Sequence, residues 1–477
     1  MVSDVGKRKI RTDPAPDRQG RMDNGRPHPV ASGRAAARVP VYRNAPRLVR
    51  DPLPVLEAIG RERAGEIVRL DLGLFRPYLI TDPGHVQQVL RDRADNYVRE
   101  GMLWNPVRRL IGDGISGEGP VWRRRRDILQ PLFAGKHIDS LAGQLATAVA
   151  EAVDALDGPA RAGRPIDVDT EMTRIVHGAL IRAFFGGGIS VADGDRLGAA
   201  IATAFTSLGA RMVLPFVPNA VPLPGDRAFR RAVRTVDDIM VPLVRHRRTG
   251  HAADDLVGLL CRAVTDDGRP LDDREVRDDV VALFVAATET TAMALTWLWV
   301  ALDGNPEVAR TLRGEVDRVV GAAAPTPAHL SQLPYTRMVL RELLRLYPVA
   351  WFLPRSVRRA DVIAGVRIDA GSTVVLSPYL THRLPGVWQD PLAFSPERFA
   401  PEQAAGRHRY AYFPFGAGPH QCLGSHLFMM EATLIVATML SRYRPEPLAA
   451  PPVAPRAAVT LRPSRRVEMV LRPVSPP

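Results

Sequence analysis

Residues 280–302 read VVALFVAATETTAMALTWLWVAL. A helix from about Asp279 to Leu302 is therefore apolar on every face, and such a helix either lies inside a large core or spans a membrane. Its centre nevertheless carries Thr288, Glu289, Thr290 and Thr291. An unpaired carboxylate in that place would be strongly destabilising. Three arrangements accommodate it: a membrane span with a polar defect, an exposed turn, or a core helix passing a polar, water-holding cavity. With 477 residues, 46% of them hydrophobic, the chain has enough material for a core of that size.

The rest of the chain reads as one large, mainly helical domain with small β portions towards both ends. GEIVRLDLG and RPYLITDPG, within residues 65–84, alternate and end in turn residues, which predicts a hairpin. Helical patterning then runs from about Pro83 to about Tyr347, broken at 213–226 by an apolar Pro-rich loop. Short strands return after Pro348, and AAVTLRPSRRVEMVLRP predicts a closing hairpin. Residues 1–37 read as a disordered basic tail, and 38–477 as a single domain. The opening residues hold no apolar run, so neither a signal peptide nor a membrane anchor is expected. Cys261 and Cys422 are too few for a disulfide framework and fit a reducing compartment, so a cytoplasmic location is expected. The net charge of +13 comes almost wholly from arginine, the lysines being Lys7, Lys9 and Lys136. No zinc-finger spacing or aromatic-basic interleaving accompanies it, so nucleic acid is not expected as a partner.

Three further groups of polar residues stand out. In YTRMVLRELLRLYP, Glu342 lies on the apolar stripe of a helix with Arg345 three residues on. On a buried stripe such a pair needs a satisfied network, and SPERFAPE offers Arg398 as its third member. In GPVWRRRRDILQPLF, Trp122 and Arg126 fall one helical turn apart, which suits an anionic group with an aromatic neighbour; a solvated basic helix fits equally. In FPFGAGPHQCLG, glycines surround Cys422 just before a helix, where backbone N–H groups and the helix dipole stabilise a thiolate. Zinc is the alternative, with His420 and His426 nearby, but H-x-C-x3-H matches no usual zinc spacing. A single thiolate in a rigid loop suits haem iron, whose equatorial ligands come from the porphyrin.

Taken together and in this order, the motifs resemble the cytochrome P-450 superfamily. The resemblance runs from about residue 38 to 474 and rests on Phe415, Gly416, Gly418, His420, Cys422 and Gly424 of the haem loop, and on Glu342, Arg345 and Arg398. It rests also on Glu289 and Thr290 of the central helix, on Trp122 and Arg126, and on Arg355 in WFLPRSVRRAD. It implies a mainly α fold that holds haem b between the central helix and the cysteine-loop helix, with the Cys422 thiolate on iron. Phe415, Gly416, His420, Gly424, Trp122, Arg126, Arg355 and Ala286 would surround the cofactor. Thr290 and Glu289 would be catalytic, and Glu342, Arg345 and Arg398 structural. His420 replaces the commoner arginine, Ala287 the usual glycine, and Phe428 a usual small residue.

The implied activity is insertion of one atom of O2 into an apolar small molecule. Electrons would come from a separate ferredoxin and ferredoxin reductase, docking near Arg123–Arg125, and the protein would be a monomer. Apolar and aromatic residues (Leu103, Trp104, Phe205, Val285, Ala350, Trp351 and Phe352) are the expected pocket. The stretches around 211–229 and 349–379 further resemble soluble bacterial sesquiterpene oxidases, which points to a cyclic terpenoid of secondary metabolism. Fatty-acid or polyketide hydroxylation is the alternative within the family. A haem sensor without oxygenase activity is the alternative outside it, although a sensor has no need of the Glu289–Thr290 pair.

Overall fold

The apolar run sets the frame of the molecule. It lies within one helix, Asp273–Asp303, which starts at a capping box. Asp272 Oδ1 accepts from the Glu275 N–H at 2.8 Å, and Glu275 Oε2 accepts from the Asp272 N–H at 2.9 Å. The helix stops before Gly304, Asn305 and Pro306, the last of which has no N–H with which to continue it. By length and composition this central helix could cross a membrane, but 72% of its most apolar window is buried inside the fold. It packs on helices Val168–Phe185, Asp226–Arg248, Pro334–Leu346 and Ser425–Arg442. The core-helix arrangement is the one adopted.

The computed structural model describes residues 33–474 apart from 42–50, 74, 102, 209, 212–216, 219, 250–254, 266 and 449–451. Residues 1–32 of the expected tail, and residues 213–216 and 219 of the 213–226 loop, lie outside the described residues. The described chain joins the fold at Arg34, which bridges to Val366. Strands β1 (Ala37–Val39), β2 (Val68–Leu70), β3 (Tyr78–Ile80) and β4 (Tyr97–Val98) precede β5 (Ile166–Asp167). After the helical body come β6 (Leu353–Val357), β7 (Asp361–Ile363), β8 (Val366–Ile368) and β9 (Thr373–Leu376). β10 (Tyr443–Pro447), β11 (Pro455–Ala457), β12 (Leu461–Pro463) and β13 (Glu468–Pro473) close the chain. The largest sheet has the order β1-β2-β3-β9-β6-β4, so the two β portions of the sequence meet in one sheet. The expected hairpin is β2–β3, paired antiparallel with Val68 opposite Leu79.

The closing hairpin does not form as expected. β12 pairs with β11, whereas β13 pairs with β10 and β5. The reason is tertiary. Leu461 is held by the Val349 carbonyl and by Trp297 Nε1, while Met469 and Leu471 bury their side chains in the core beside β10. Alternation fixes which residues face inward but leaves the partner strand open.

Candidate active site

Local chemistry places Cys422. Gly416 and Gly418 take φ of 64° and 69°, a left-handed backbone that favours glycine. A Cβ on Gly418 would also collide with the Leu90 carbonyl, so the loop passes directly over that turn. The Cys422 N–H donates to the Phe415 carbonyl at 2.8 Å, and helix Ser425–Arg442 begins three residues on. Cys422 is the exposed cysteine of the two, whereas Cys261 is buried. Desolvation by the surrounding atoms raises the Cys422 thiol, while the Gly424 N–H and Arg126 act the other way, as the sequence leads one to expect. Phe428, the departure beside the loop, is buried edge-to-face on Phe415 at 5.6 Å.

Above the loop lies a cluster of cations. Arg355 is 5% exposed, and its hydrogen bond goes to the Pro354 carbonyl at 2.8 Å. No carboxylate forms an ion pair with it among the described residues. Burial, with Arg99 adding to the effect, pushes it down to about 9. Such a guanidinium is short of an anion. Arg99, which sequence reasoning missed, is compensated by Glu118 at 3.4 Å. Burial alone would raise Glu118, but His420 and Arg99 outweigh it and hold the carboxyl down to about 2. His420 is itself lowered by burial, and its contact with Glu118 opposes that shift. The His420 ring packs at a tilt against Trp122, centroids 4.1 Å apart, with Nε2 3.0 Å from Glu118. Arg126 donates to the Gln421 carbonyl at 2.6 Å and so braces the cysteine loop.

On the central helix, Ala286 and Thr290 are exposed one turn apart, although Val285 and Thr291 beside them are buried. The Thr290 hydroxyl donates to the Ala286 carbonyl at 2.6 Å, which leaves its oxygen free to accept. Ala287, in place of the usual glycine, packs half-buried against the core. Glu289 turns to the β11–β12 hairpin, where Arg462 and Thr460 hold it.

Of the expected pocket residues, Trp104 and Phe352 come into one neighbourhood. Trp104 Nε1 donates to the Pro354 carbonyl at 3.3 Å, and Phe352 lies against Trp351 at 4.4 Å. Leu103, Ala350 and Phe205 are half-buried. Val285 and Trp351, by contrast, are 4% and 9% exposed and belong to the packed core.

Glu342 and Arg345 form a two-pronged pair at 2.7 and 2.8 Å, each with no exposed side-chain surface. Arg398 reaches Glu342 at 3.4 Å as its third member. The basic surface needs correction. Arg123 and Arg124 are exposed, but Arg125 is buried in ion pairs with Glu275 at 2.5 Å and Asp279 at 3.3 Å. With Trp122 and Leu129 it occupies the buried stripe of its helix.

An exposed Cys422, an anion-short buried guanidinium and an exposed threonine on a buried helix fit what a haem bound through Cys422 would need. The cytochrome P450 family model matches residues 38–469. A cyclooctat-9-en-7-ol 5-monooxygenase of Streptomyces melanosporofaciens is 33% identical over 424 residues, covering 88% of this chain and 91% of that protein. The pentalenene oxygenase of Streptomyces avermitilis is 29% identical over 452 residues, covering 94% and 99%. In three dimensions the haem domain of cytochrome P450DA shares the fold, with a TM-score of 0.82 at 24% identity, over 92% of this chain and 98% of that one. The chain belongs to the cytochrome P450 family, the haem-thiolate monooxygenases.

Proposed function

We propose that this protein oxidises a cyclic terpenoid by the overall reaction RH + O2 + 2e⁻ + 2H⁺ → ROH + H2O. The observation that carries the substrate class is the similarity, over nearly the whole chain, to relatives whose names specify cyclooctat-9-en-7-ol and pentalenene. The half-buried rings of Trp104 and Phe352 support it, since aromatic side chains favour compact apolar ligands.

Haem b, when bound through Cys422, supplies the activation of O2. The chain's own residues divide the remaining work. Arg355 would neutralise propionate charge, with Arg99, Glu118, His420 and Trp122 held in contact with one another beside it. Arg126 and the two positive-φ glycines hold the sulfur in place. Thr290 accepts a hydrogen bond at its oxygen or, after rotating off the Ala286 carbonyl, donates one. Glu289 brings protons from the hairpin side. Electrons arrive from a separate ferredoxin, fed by its reductase, at a surface that includes the exposed Arg123 and Arg124.

The test is a spectral titration of the haem-loaded protein with pentalenene, palmitic acid and a macrolactone, followed by product analysis with a surrogate ferredoxin and reductase. The terpenoid reading expects the hydrocarbon alone to bind tightly and give a hydroxylated product. Turnover of palmitic acid in its place would overturn that reading.

A further inference from the structure

Two carboxylates near the start of the central helix carry the loop behind Trp104. That loop, 112–117, joins helix Asn105–Ile111, which begins just after Trp104, to helix Gly119–Leu132. A Cβ on Gly112 would lie 2.4 Å from Asp278 Oδ2, and one on Gly114 would lie 2.3 Å from Asp279 Oδ1. A side chain at either position would displace the carboxylate, so the loop backbone rests directly on both. The Ile115 N–H donates to Asp279 Oδ1 at 3.4 Å. From the haem side Arg99 donates to the Ile115 and Gly117 carbonyls at 3.3 and 2.8 Å. Arg277, on the central helix, donates to the Leu110 carbonyl at 3.1 Å.

The two carboxylates are not equally compensated. Asp278 is half-buried and accepts from Arg277 at 2.8 Å. Asp279 is 1% exposed, and its Oδ2 has no hydrogen bond among the described residues. Arg125 is the one cation that forms an ion pair with it among those residues, at 3.3 Å, and Arg125 also serves Glu275 at 2.5 Å. Glu275 and Asp278 are like charges that face Asp279 from its own helix. Asp113, the acid of the loop, is exposed and pairs with Arg108, while Asp237 of helix Asp226–Arg248 pairs with Arg277. An ionised Asp279 is therefore buried with part of one guanidinium's charge and one long hydrogen bond. Burial pushes its carboxyl up to about 7, with Arg125 and the Ile115 N–H opposing and Asp278 and Glu275 adding.

We propose that Arg125 and Asp279 are positioning residues that seat helix Asn105–Ile111 and the loop behind it on the central helix, and that ionisation of Asp279 loosens this seat. The part of Trp104 in substrate binding rests on the function proposed above, whereas the seat stands on these contacts alone. Opening the loop returns Asp279 to water, where its carboxyl has the ordinary value of 3.8. The seated form therefore keeps a proton that the open form releases. Seating is favoured at low pH, weakens as the pH rises from 3.8 towards about 7, and levels off above that. The open population rises about tenfold between pH 6 and pH 8.

Hydrogen–deuterium exchange of the haem-loaded full chain tests this without substrate or turnover. Peptides spanning 105–117 are followed by mass spectrometry from pH 5 to pH 9, with unstructured peptides of the same sequence correcting for intrinsic exchange. Their protection should fall about tenfold from pH 6 to pH 8 and then level off. Asp279→Asn, which cannot ionise, should keep the segment protected and remove the slope. Arg125→Gln leaves the carboxylate unpaired, so its protection should go on falling above pH 7, and Arg125→Lys should restore the parent curve. A merely structural pair would lower protection equally at every pH and leave the slope alone. A slope that persists in Asp279→Asn, or a parent curve flat from pH 6 to pH 8, would overturn the proposal. Levelling at the same pH in Arg125→Gln as in the parent would remove Arg125 from it. The parent curve decides even where a variant loads no haem, because its fall and its levelling are both required.

Discussion

Glu342 with Arg345 and Glu289 with Arg462 are the same chemical pair in two settings. The first has no exposed side-chain surface, and every charge in it is answered. Arg345 donates to three further carbonyls, of His382, Pro391 and Ala393, while Glu342 also accepts from the Ser395 N–H at 2.8 Å. The second pair is about one third exposed, joins two elements 173 residues apart and shares its arginine with Asp169. Burial decides what each pair can do. A charge pair sealed in the core cannot separate without a large penalty, so it fixes geometry. One at the solvent border costs little to open, so it can take part in a moving step.

Stability measurements can break this contrast, and the largest effect belongs to the sealed pair. Glu342→Ala or Arg345→Ala leaves a buried charge alone and is expected to cost about 3–5 kcal/mol. That is a large share of ordinary domain stability, so the yield of haem-loaded protein should collapse. Normal yield and an unchanged denaturation midpoint would show that the pair is not the brace its geometry suggests.

A third glutamate sharpens the comparison because it is buried without any partner. Glu431, on helix Ser425–Arg442, has no exposed surface and, among the described residues, no hydrogen bond on either oxygen. Burial raises its carboxyl to about 8 from the ordinary 4.5. The folded state therefore keeps a proton that the unfolded chain releases, so the contribution of Glu431 to stability is greatest below pH 4.5. It declines as the pH rises towards about 8. Glu431→Gln removes this slope, and its gain over the parent at pH 8 relative to pH 5 should be on the order of 1–3 kcal/mol. Parallel stability curves for the two proteins across that range would show that the site is better solvated than it looks.

The smallest stability change belongs to the half-exposed pair. Glu289→Gln should stay within about 0.5 kcal/mol of the parent, as substitutions outside a sealed network usually do. Its effect lies in the chemistry. Glu289→Gln and Thr290→Ala should each lower product per NAD(P)H consumed by about tenfold, a modest share of what a positioned acid contributes, with hydrogen peroxide making up the balance. For Thr290→Ala an unchanged ratio would mean that the hydroxyl serves only its bond to the Ala286 carbonyl.

What the sequence discloses follows the same division. The sealed pair is legible because Glu342 and Arg345 stand three apart on one apolar stripe. Trp122 and Arg126 are legible for the analogous reason, one turn apart. The arginine stripe also contained the sign that Arg125 is buried, since it shares the face of Trp122 and Leu129. Arg99, Glu118, Asp169 and Arg462 were not legible. Their partners are brought together only by the tertiary fold, and no periodicity links Glu289 to Arg462. The closing strands were recognised by alternation, yet their pairing depended on Leu461 being seated against Val349 and Trp297. Local spacing thus reveals residues that share an element, and contacts between distant elements have to be seen in the structure.

Both glutamate pairs matter to function only if Cys422 carries the haem. The spectrum of the reduced, CO-bound protein tests this most directly, because the thiolate-ligated complex has a strongly red-shifted Soret band that other protein ligands do not give. The parent and Cys261→Ala should both show that band, and Cys422→Ser should lack it. Retention of the band in Cys422→Ser, or its loss in Cys261→Ala, would contradict the account.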